Sequence, residues 1–345
     1  MNKIRGLAVA AVIILFSTAL IFFSDDAKEG VENGLELCKN VLVPSMFPFL
    51  VISSFIAESD LSRRIGNQLS YFTSKIFRLP SCCTSVIICG MLFGYPTGAV
   101  MTSKLLSKGD IDETTAKRLL RFVVNAGVPF TVLAVGRVMY GSKTTGWILY
   151  ISVTLSALLM GLLEGFRYPK AENVKNRIPI SRSYSDCLVS SVQSASMVMI
   201  NICAFLLLCG SVDGIMRFAG EKYEYFKPFL EITNGVMHCV RLYPIWVLCF
   251  FIAFSGLCIH CQLFPIIVQA KMKYWDFFAH RIAHGILSLA VCKLLMYFFP
   301  VAQETFSNVS SVKTEFVSVS LTATVTMVIM MVALLIDLEG KKKKC

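Results

Sequence analysis

Charge is what this sequence has least of. Asp, Glu, Lys and Arg make up 16% of its 345 residues, against about a quarter in an ordinary soluble domain. The shortfall is concentrated in runs with no charge at all, at 6–24, 40–57, 79–103, 144–163, 187–212, 242–270 and 316–336. A helix needs about 20 apolar residues to cross a bilayer, so each run is a candidate crossing. Two more, 122–140 and 282–299, are each interrupted by one base, Arg137 and Lys293. With 55% hydrophobic residues and a mean hydropathy of +0.67, the chain is a polytopic membrane protein with no sizeable soluble domain.

Catalytic signals are also sparse. Four histidines are too few for a multi-histidine di-iron enzyme, and His280 and His284, though four apart, lack the Glu of a zincin motif. Cys258 and Cys261 have C-x-x-C spacing without a second pair. Most of the 13 cysteines lie in apolar runs, where a thiol behaves as a small hydrophobe. Cys345 lacks the aliphatic residues of a prenylation box. The expectation is no enzyme, no metal and no cofactor. The first run follows Lys3 and Arg5 and ends without a small-x-small cleavage site, so 1–24 reads as a retained signal anchor with its N-terminus inside.

What charge there is sorts by side. In a membrane protein the +11 net charge marks cytoplasmic loops and does not imply nucleic acid. Segment 24–40 has five acids against two bases and reads as external; 58–78 has four bases against two acids, and 102–121 five against three. The last two should share the cytoplasmic face, yet one crossing by 79–103 would separate them. A hairpin that enters and returns, spanning 79–106, resolves the conflict, because Gly94, Pro96 and Gly98 disfavour a continuous helix. A single proline-kinked crossing is the alternative. Exposed backbone at membrane depth survives only when packed in protein or lining a polar cavity.

The pattern recurs. A basic linker at 164–186, with five bases and three acids, is followed by an apolar run and then by 242–270, which at 29 residues is overlong and has Ser255 and Gly256 at its centre. Paired interrupted segments are the best sequence pointer to a secondary transporter's binding site. The fold class expected is all-α and polytopic, with about eight transmembrane helices, one or two re-entrant hairpins and an inverted repeat. Its units are an anchor at 1–24, a first repeat at 34–163, the linker at 164–186, a second repeat at 187–300, and a last helix with a polybasic tail at 316–345. Whether 242–270 spans or re-enters stays open, because an inverted second hairpin would put the tail outside.

The block Phe93, Gly94, Tyr95, Pro96, Thr97, Gly98, Ala99, then the basic helix at 116–122 and the run Asn125, Ala126, Gly127, Val128, Pro129, Phe130, resembles the YlbJ-type sporulation integral membrane proteins. So do Leu230 to Gly235 and Phe254 to Gln262, in the family's order. The segment from Val43 to Phe49 is similar to the opening of the nucleoside-recognition (Gate) domain of concentrative nucleoside transporters. Val128, which separates Gly127 from Pro129, departs from the family's pattern. The resemblance implies a mother-cell protein of endospore formers, in membranes including the outer forespore membrane, that moves dipicolinic acid towards the spore.

A planar dianion calls for backbone donors, positive potential and an aromatic surface. Helix N-termini at a broken segment supply the first two, so the candidate binding residues begin with Gly94, Tyr95, Pro96, Thr97 and Gly98. Asn125 beside Gly127 and Pro129 marks another break, as helix glue or as part of a site. Glu231, Thr233 and Asn234 form a compact polar group, either a ligand or coupling-ion set or a solvated loop. Ser255, Gly256, His260 and Gln262 lie in an uncharged run, where polar groups are costly unless used or paired. Arg137 is placed to snorkel to the interface; Lys293 either pairs within the membrane or reaches the surface. The cargo expected is a small anion, with Na+ or H+ as the candidate coupling cations, the lipid bilayer as surroundings and an oligomer allowed. A nucleoside or other polar metabolite, or a non-transporting structural role in a spore-envelope complex, are the competing readings.

Overall fold

The computed structural model describes residues 3–59, 61–168, 183–217, 223 and 225–299. Most of the basic linker and the whole of 316–345, with its last helix and tetralysine tail, lie outside the described residues. Among the described residues all regular structure is helical. Five helices are long and apolar enough to cross a bilayer: Ser24–Glu58, Lys143–Arg167, Tyr184–Met216, Ile245–Gln269 and Tyr274–Phe298; Ala10–Phe22, Cys83–Phe93 and Pro129–Met139 are shorter and apolar. The chain is a multi-pass α-helical membrane protein.

In chain order the helices are α1 (Lys3–Phe22), α2 (Ser24–Glu58), α3 (Leu61–Lys75), α4 (Cys83–Phe93), α5 (Thr97–Lys108), α6 (Glu113–Leu120), α7 (Pro129–Met139), α8 (Lys143–Arg167), α9 (Tyr184–Met216), α10 (Lys227–Leu230), α11 (Ile232–Leu242), α12 (Ile245–Phe254), α13 (Gly256–Gln269) and α14 (Tyr274–Phe298).

The acidic segment 24–37, read from charge as a connection, is helical and runs into the apolar half of α2 through a π-helical turn at Cys38–Leu42. Asp25 and Asp26 occupy its first turn, where carboxylates favour the helix dipole. Its glycines explain why it is held. A Cβ on Gly30 would lie 2.0 Å from the Gly210 carbonyl oxygen, and one on Gly214 2.1 Å from that of Asp26. Two small-residue stripes thus bring α2 and α9 into backbone contact, the usual way helices associate without a hydrophobic driving force. Arg217 and Glu29 close the end of this pair at 2.7 Å.

The amphipathic α3 is tied to α4 by side-chain hydroxyls, Ser62 to Ser85 at 2.7 Å and Thr73 to Thr84 at 2.8 Å. The arms α4 and α5 pack on one another, and the chain returns to where it left: Cys82 Sγ lies 3.8 Å from the Asp110 carbonyl oxygen. The base of this hairpin is pinned to the end of α2, where Lys104 donates to Glu58 at 2.6 Å and Lys108 to the Ala57 carbonyl at 2.7 Å. The second broken segment behaves differently. Its halves separate, α12 packing on α14 and α13 on α9. Arg137 and Lys293 are both exposed, Lys293 with its Nζ 5.5 Å from the Trp246 ring centroid.

Candidate functional site

Four interruptions of helix meet near the centre of the fold. The first is the turn between α4 and α5. Gly94 has φ +95°, a conformation that other residues rarely adopt, and the Thr97 N–H donates to the Gly94 carbonyl at 3.1 Å. The second is the non-helical stretch 121–127 between α6 and α7. The apolar run 122–140 is therefore helical only from Val128 and Pro129, the proline sitting in the first turn, where its missing N–H costs nothing.

These two interruptions interlock through backbone. A Cβ on Gly98 would lie 2.4 Å from the Val123 carbonyl oxygen, one on Gly90 2.8 Å from the same atom, and one on Gly127 2.4 Å from the Phe93 carbonyl carbon. No room for side chains remains. Asn125 is fully buried behind this contact, where its Nδ2 donates to Thr154 Oγ1 at 3.1 Å and meets Met91 Sδ at 3.3 Å, while its Oδ1 has no partner. The Thr97 hydroxyl, 1% exposed, also lacks one.

The third interruption is Glu231, between α10 and α11. The carboxylate accepts from the Thr233 N–H and the Asn234 N–H, each at 2.7 Å, and so caps α11. This is a buried helix cap and not a solvated loop. The fourth is Ser255, at φ +78°, followed by Gly256 at φ +69°. A Cβ on Gly256 would meet the Ile232 nitrogen at 3.1 Å and the Pro228 carbonyl oxygen at 3.3 Å, so the third and fourth breaks also seat on each other. Ser255 Oγ donates to the Ala253 carbonyl at 3.2 Å.

His260 closes the end of α12. Its Nε2 lies 2.9 Å from the Phe254 carbonyl oxygen and its Nδ1 3.2 Å from the Tyr274 hydroxyl. A carbonyl only accepts, so the proton is assigned to Nε2 and the tyrosine donates to Nδ1. Rings of Phe254 and Phe277 flank it at 4.8 and 5.1 Å.

The two pairs of breaks are joined by one side chain. The Tyr95 hydroxyl donates to the Ile252 carbonyl, 157 residues away in sequence. Beside that bond opens a recess with an empty volume of about 420 Å³, counting its open mouth. Tyr95, Pro96, Phe130, Glu231, Thr233 and Gln262 contribute to its wall, with apolar residues of α2 and α9 opposite. Gln262 Oε1 is buried there without a partner. Of the residues singled out from sequence, Tyr95, Pro96, Glu231, Thr233 and Gln262 share this recess, while Asn125 and His260 are held in separate hydrogen-bonded niches.

Sequence reading missed Arg281. It is fully buried, one of several charges near the start of α14, and only tertiary contact distinguishes it. Its Nη1 donates to the Val124 carbonyl and its Nη2 to the Arg121 carbonyl, so it binds the non-helical stretch behind the hairpin tip. Nη1 also donates to His284 Nδ1 at 3.3 Å, and His284 Nε2 donates to the Val153 carbonyl at 3.0 Å. No carboxylate among the described residues lies within ion-pair distance of Arg281, and its Nε has no partner. Groups of His, Cys, Asp and Glu able to hold a metal are absent among the described residues.

No family model matches the chain, and no solved structure matches it. It is 24% identical over 341 residues, covering 86% of this chain and 84% of the relative, to a protein of Bacillus subtilis (strain 168) named Sporulation integral membrane protein YlbJ. That likeness supports the YlbJ family.

Proposed function

We propose that this chain is a membrane transporter acting in sporulation, and that its cargo is a small anionic metabolite, dipicolinic acid first among them, carried from the mother cell across the outer forespore membrane. Arg281 carries this reading. An isolated buried cation in a membrane protein is expensive and marks a pathway or a site by default, and this one sits behind a broken-helix tip with carbonyls, a histidine and the Phe277 ring around it and no carboxylate among the described residues within ion-pair distance. The half-helices that begin at Thr97, Pro129 and Gly256 turn N-termini, the positive ends of their dipoles, towards the same region. Paired broken helices are the plan of carriers that work by alternating access. In this reading 79–106 is re-entrant, the two break pairs belong to Gate-like inverted repeats, and the printed name of the relative supplies the sporulation context.

A second reading is favoured by the recess itself. Its wall carries the Glu231 carboxylate, Gln262 Oε1 and the Thr233 hydroxyl but no cationic side chain, beside the Tyr95 and Phe130 rings, which suits a neutral ring compound rich in donors, such as a nucleoside, better than a dianion. Purified protein in proteoliposomes, given radiolabelled dipicolinate or uridine, separates the two. Saturable dipicolinate flux that falls at least tenfold in Arg281→Gln supports the first. Saturable uridine flux alone establishes the second, and absence of either flux leaves the structural role in an envelope complex.

A further inference from the structure

A carrier that accumulates cargo needs a coupled ion, and at the start of the second break, apart from the recess, the molecule holds a cluster shaped for one proton. Arg121, the first residue of the non-helical stretch, bridges two carboxylates on different helices: its Nη1 lies 2.6 Å from Glu164 Oε2 and its Nη2 2.8 Å from Asp276 Oδ2. The remaining oxygen of each acid lies near His280: its Nε2 is 3.7 Å from Glu164 Oε1, an ion-pair contact beyond hydrogen-bond reach, and its Nδ1 is 3.2 Å from Asp276 Oδ1 and donates to the Asp276 backbone carbonyl at 2.7 Å. We propose that His280, set between Glu164 and Asp276, is the binding site for a proton that is carried with the cargo; this rests on the transport reading above.

The geometry favours one proton for a reason of charge and of donors. Two carboxylates in direct contact with one guanidinium leave a net charge of −1, and a protonated imidazole cancels it. The Asp276 carbonyl only accepts, so the neutral ring carries its N–H on Nδ1 and turns a bare Nε2 towards Glu164, whereas the charged form presents an N–H to Glu164 as well. Histidine is also the side chain that exchanges a proton nearest neutral pH. The side chains of Glu164, Arg121 and His280 are 8%, 10% and 19% exposed, and Asp276 is 31% exposed, so attraction within the cluster is strong while a path for protons from water remains.

The groups facing His280 are few. Asp276 is on its own helix, Glu164 comes from α8, Tyr168 follows α8 and accepts from Arg121 at 2.9 Å, and Arg121 comes from the non-helical stretch. Arg118 of α6 lies one layer further, its guanidinium carbon 5.3 Å from the Tyr168 ring centroid. Arg281 and His284 turn to the other side, towards Val124 and Val153. α12 brings no charged residue.

Coupling follows from the place of Arg121. Its side chain belongs to the proton cluster, its carbonyl accepts from Arg281, and two residues on the backbone begins to seat the hairpin tip at Gly98. Proton uptake neutralises the cluster and holds that stretch between α8 and α14. Proton release leaves an unbalanced acid that loosens this hold.

The test uses proteoliposomes loaded with a pH-sensitive dye, with labelled dipicolinate added outside. Unmutated protein is expected to acidify the lumen in step with inward flux, and to accumulate cargo when the outside is made more acidic. His280→Gln and Glu164→Gln should each lose pH-driven accumulation at least tenfold while cargo exchange without a gradient falls far less. Saturable flux that moves no protons, or accumulation unchanged in both variants, overturns the proton site and leaves the transport reading standing. Absence of flux in the unmutated protein overturns both.

Discussion

The two pairs of breaks are held by different means. At the first, the turn at 94–96 is seated on 121–127 by glycine against backbone, with Gly90 and Gly98 on the Val123 carbonyl and Gly127 on Phe93. At the second, polar side chains hold the ends: Glu231 caps α11 and His260 caps the last carbonyl of α12. Within the first pair no space remains, and the recess opens between the two pairs, with Tyr95, Pro96 and Phe130 on one side and Glu231, Thr233 and Gln262 on the other. A contact made of backbone alone has one geometry, because removing a few tenths of an ångström means moving two chains. A contact made of side chains can repack. The first pair is fixed by backbone, and the second is held by side chains.

The sharpest way to break this comparison is at Gly98. Gly98→Ala places a Cβ at 2.4 Å from the Val123 oxygen, and the expected outcome is loss of most folded, monodisperse protein on extraction. Gly256→Ala meets 3.1 Å at its nearest atom but is strained by its positive φ; a folded protein of lowered melting temperature is expected. Equal outcomes at the two sites would erase the distinction.

Next in size is Glu231→Gln. If the recess takes a donor-rich neutral ring, uridine flux should fall at least fivefold. If cargo is the dianion, removal of a negative charge should leave dipicolinate flux unchanged or raise it. His260→Phe keeps an aromatic ring among Phe254 and Phe277 but leaves the Phe254 carbonyl uncapped, a loss of about 1 to 3 kcal/mol for a buried acceptor, measurable as a lower melting temperature with cargo affinity retained.

The smallest effect belongs outside the membrane, at Asp112, the N-cap of α6, whose carboxylate accepts from the Thr115 N–H at 2.9 Å. Burial pushes this carboxyl up, but hydrogen bonding from Thr115 outweighs it and holds the group below its ordinary value. Its contribution to stability is therefore present above the unfolded-state value and is lost as pH falls through the lowered one. Asp112→Ala should cost about 1 kcal/mol, speed amide exchange in α6, and remove that acid dependence.

Much of the first break was legible because its causes are local. Gly94 and Pro96 interrupt helix wherever they stand, and the structure breaks the helix at that point, between α4 and α5. The continuity of 24–58 was not legible, because five acids in a short stretch resemble an exposed connection, and only the glycine stripes of α9 show what covers that helix. Asn125 marked its break correctly in place, but the length of the non-helical stretch depends on Arg281 satisfying the carbonyls of Arg121 and Val124.

The sequence by itself determined a multi-pass membrane protein with breakers set in apolar runs, since both follow from composition and from the backbone limits of glycine and proline. The tertiary structure decided which breaks meet, that Tyr95 joins them, and that a cation among the charges of α14 lies buried without an acid. Those facts depend on contacts between residues about 160 positions apart, and no local pattern records a partner at that distance.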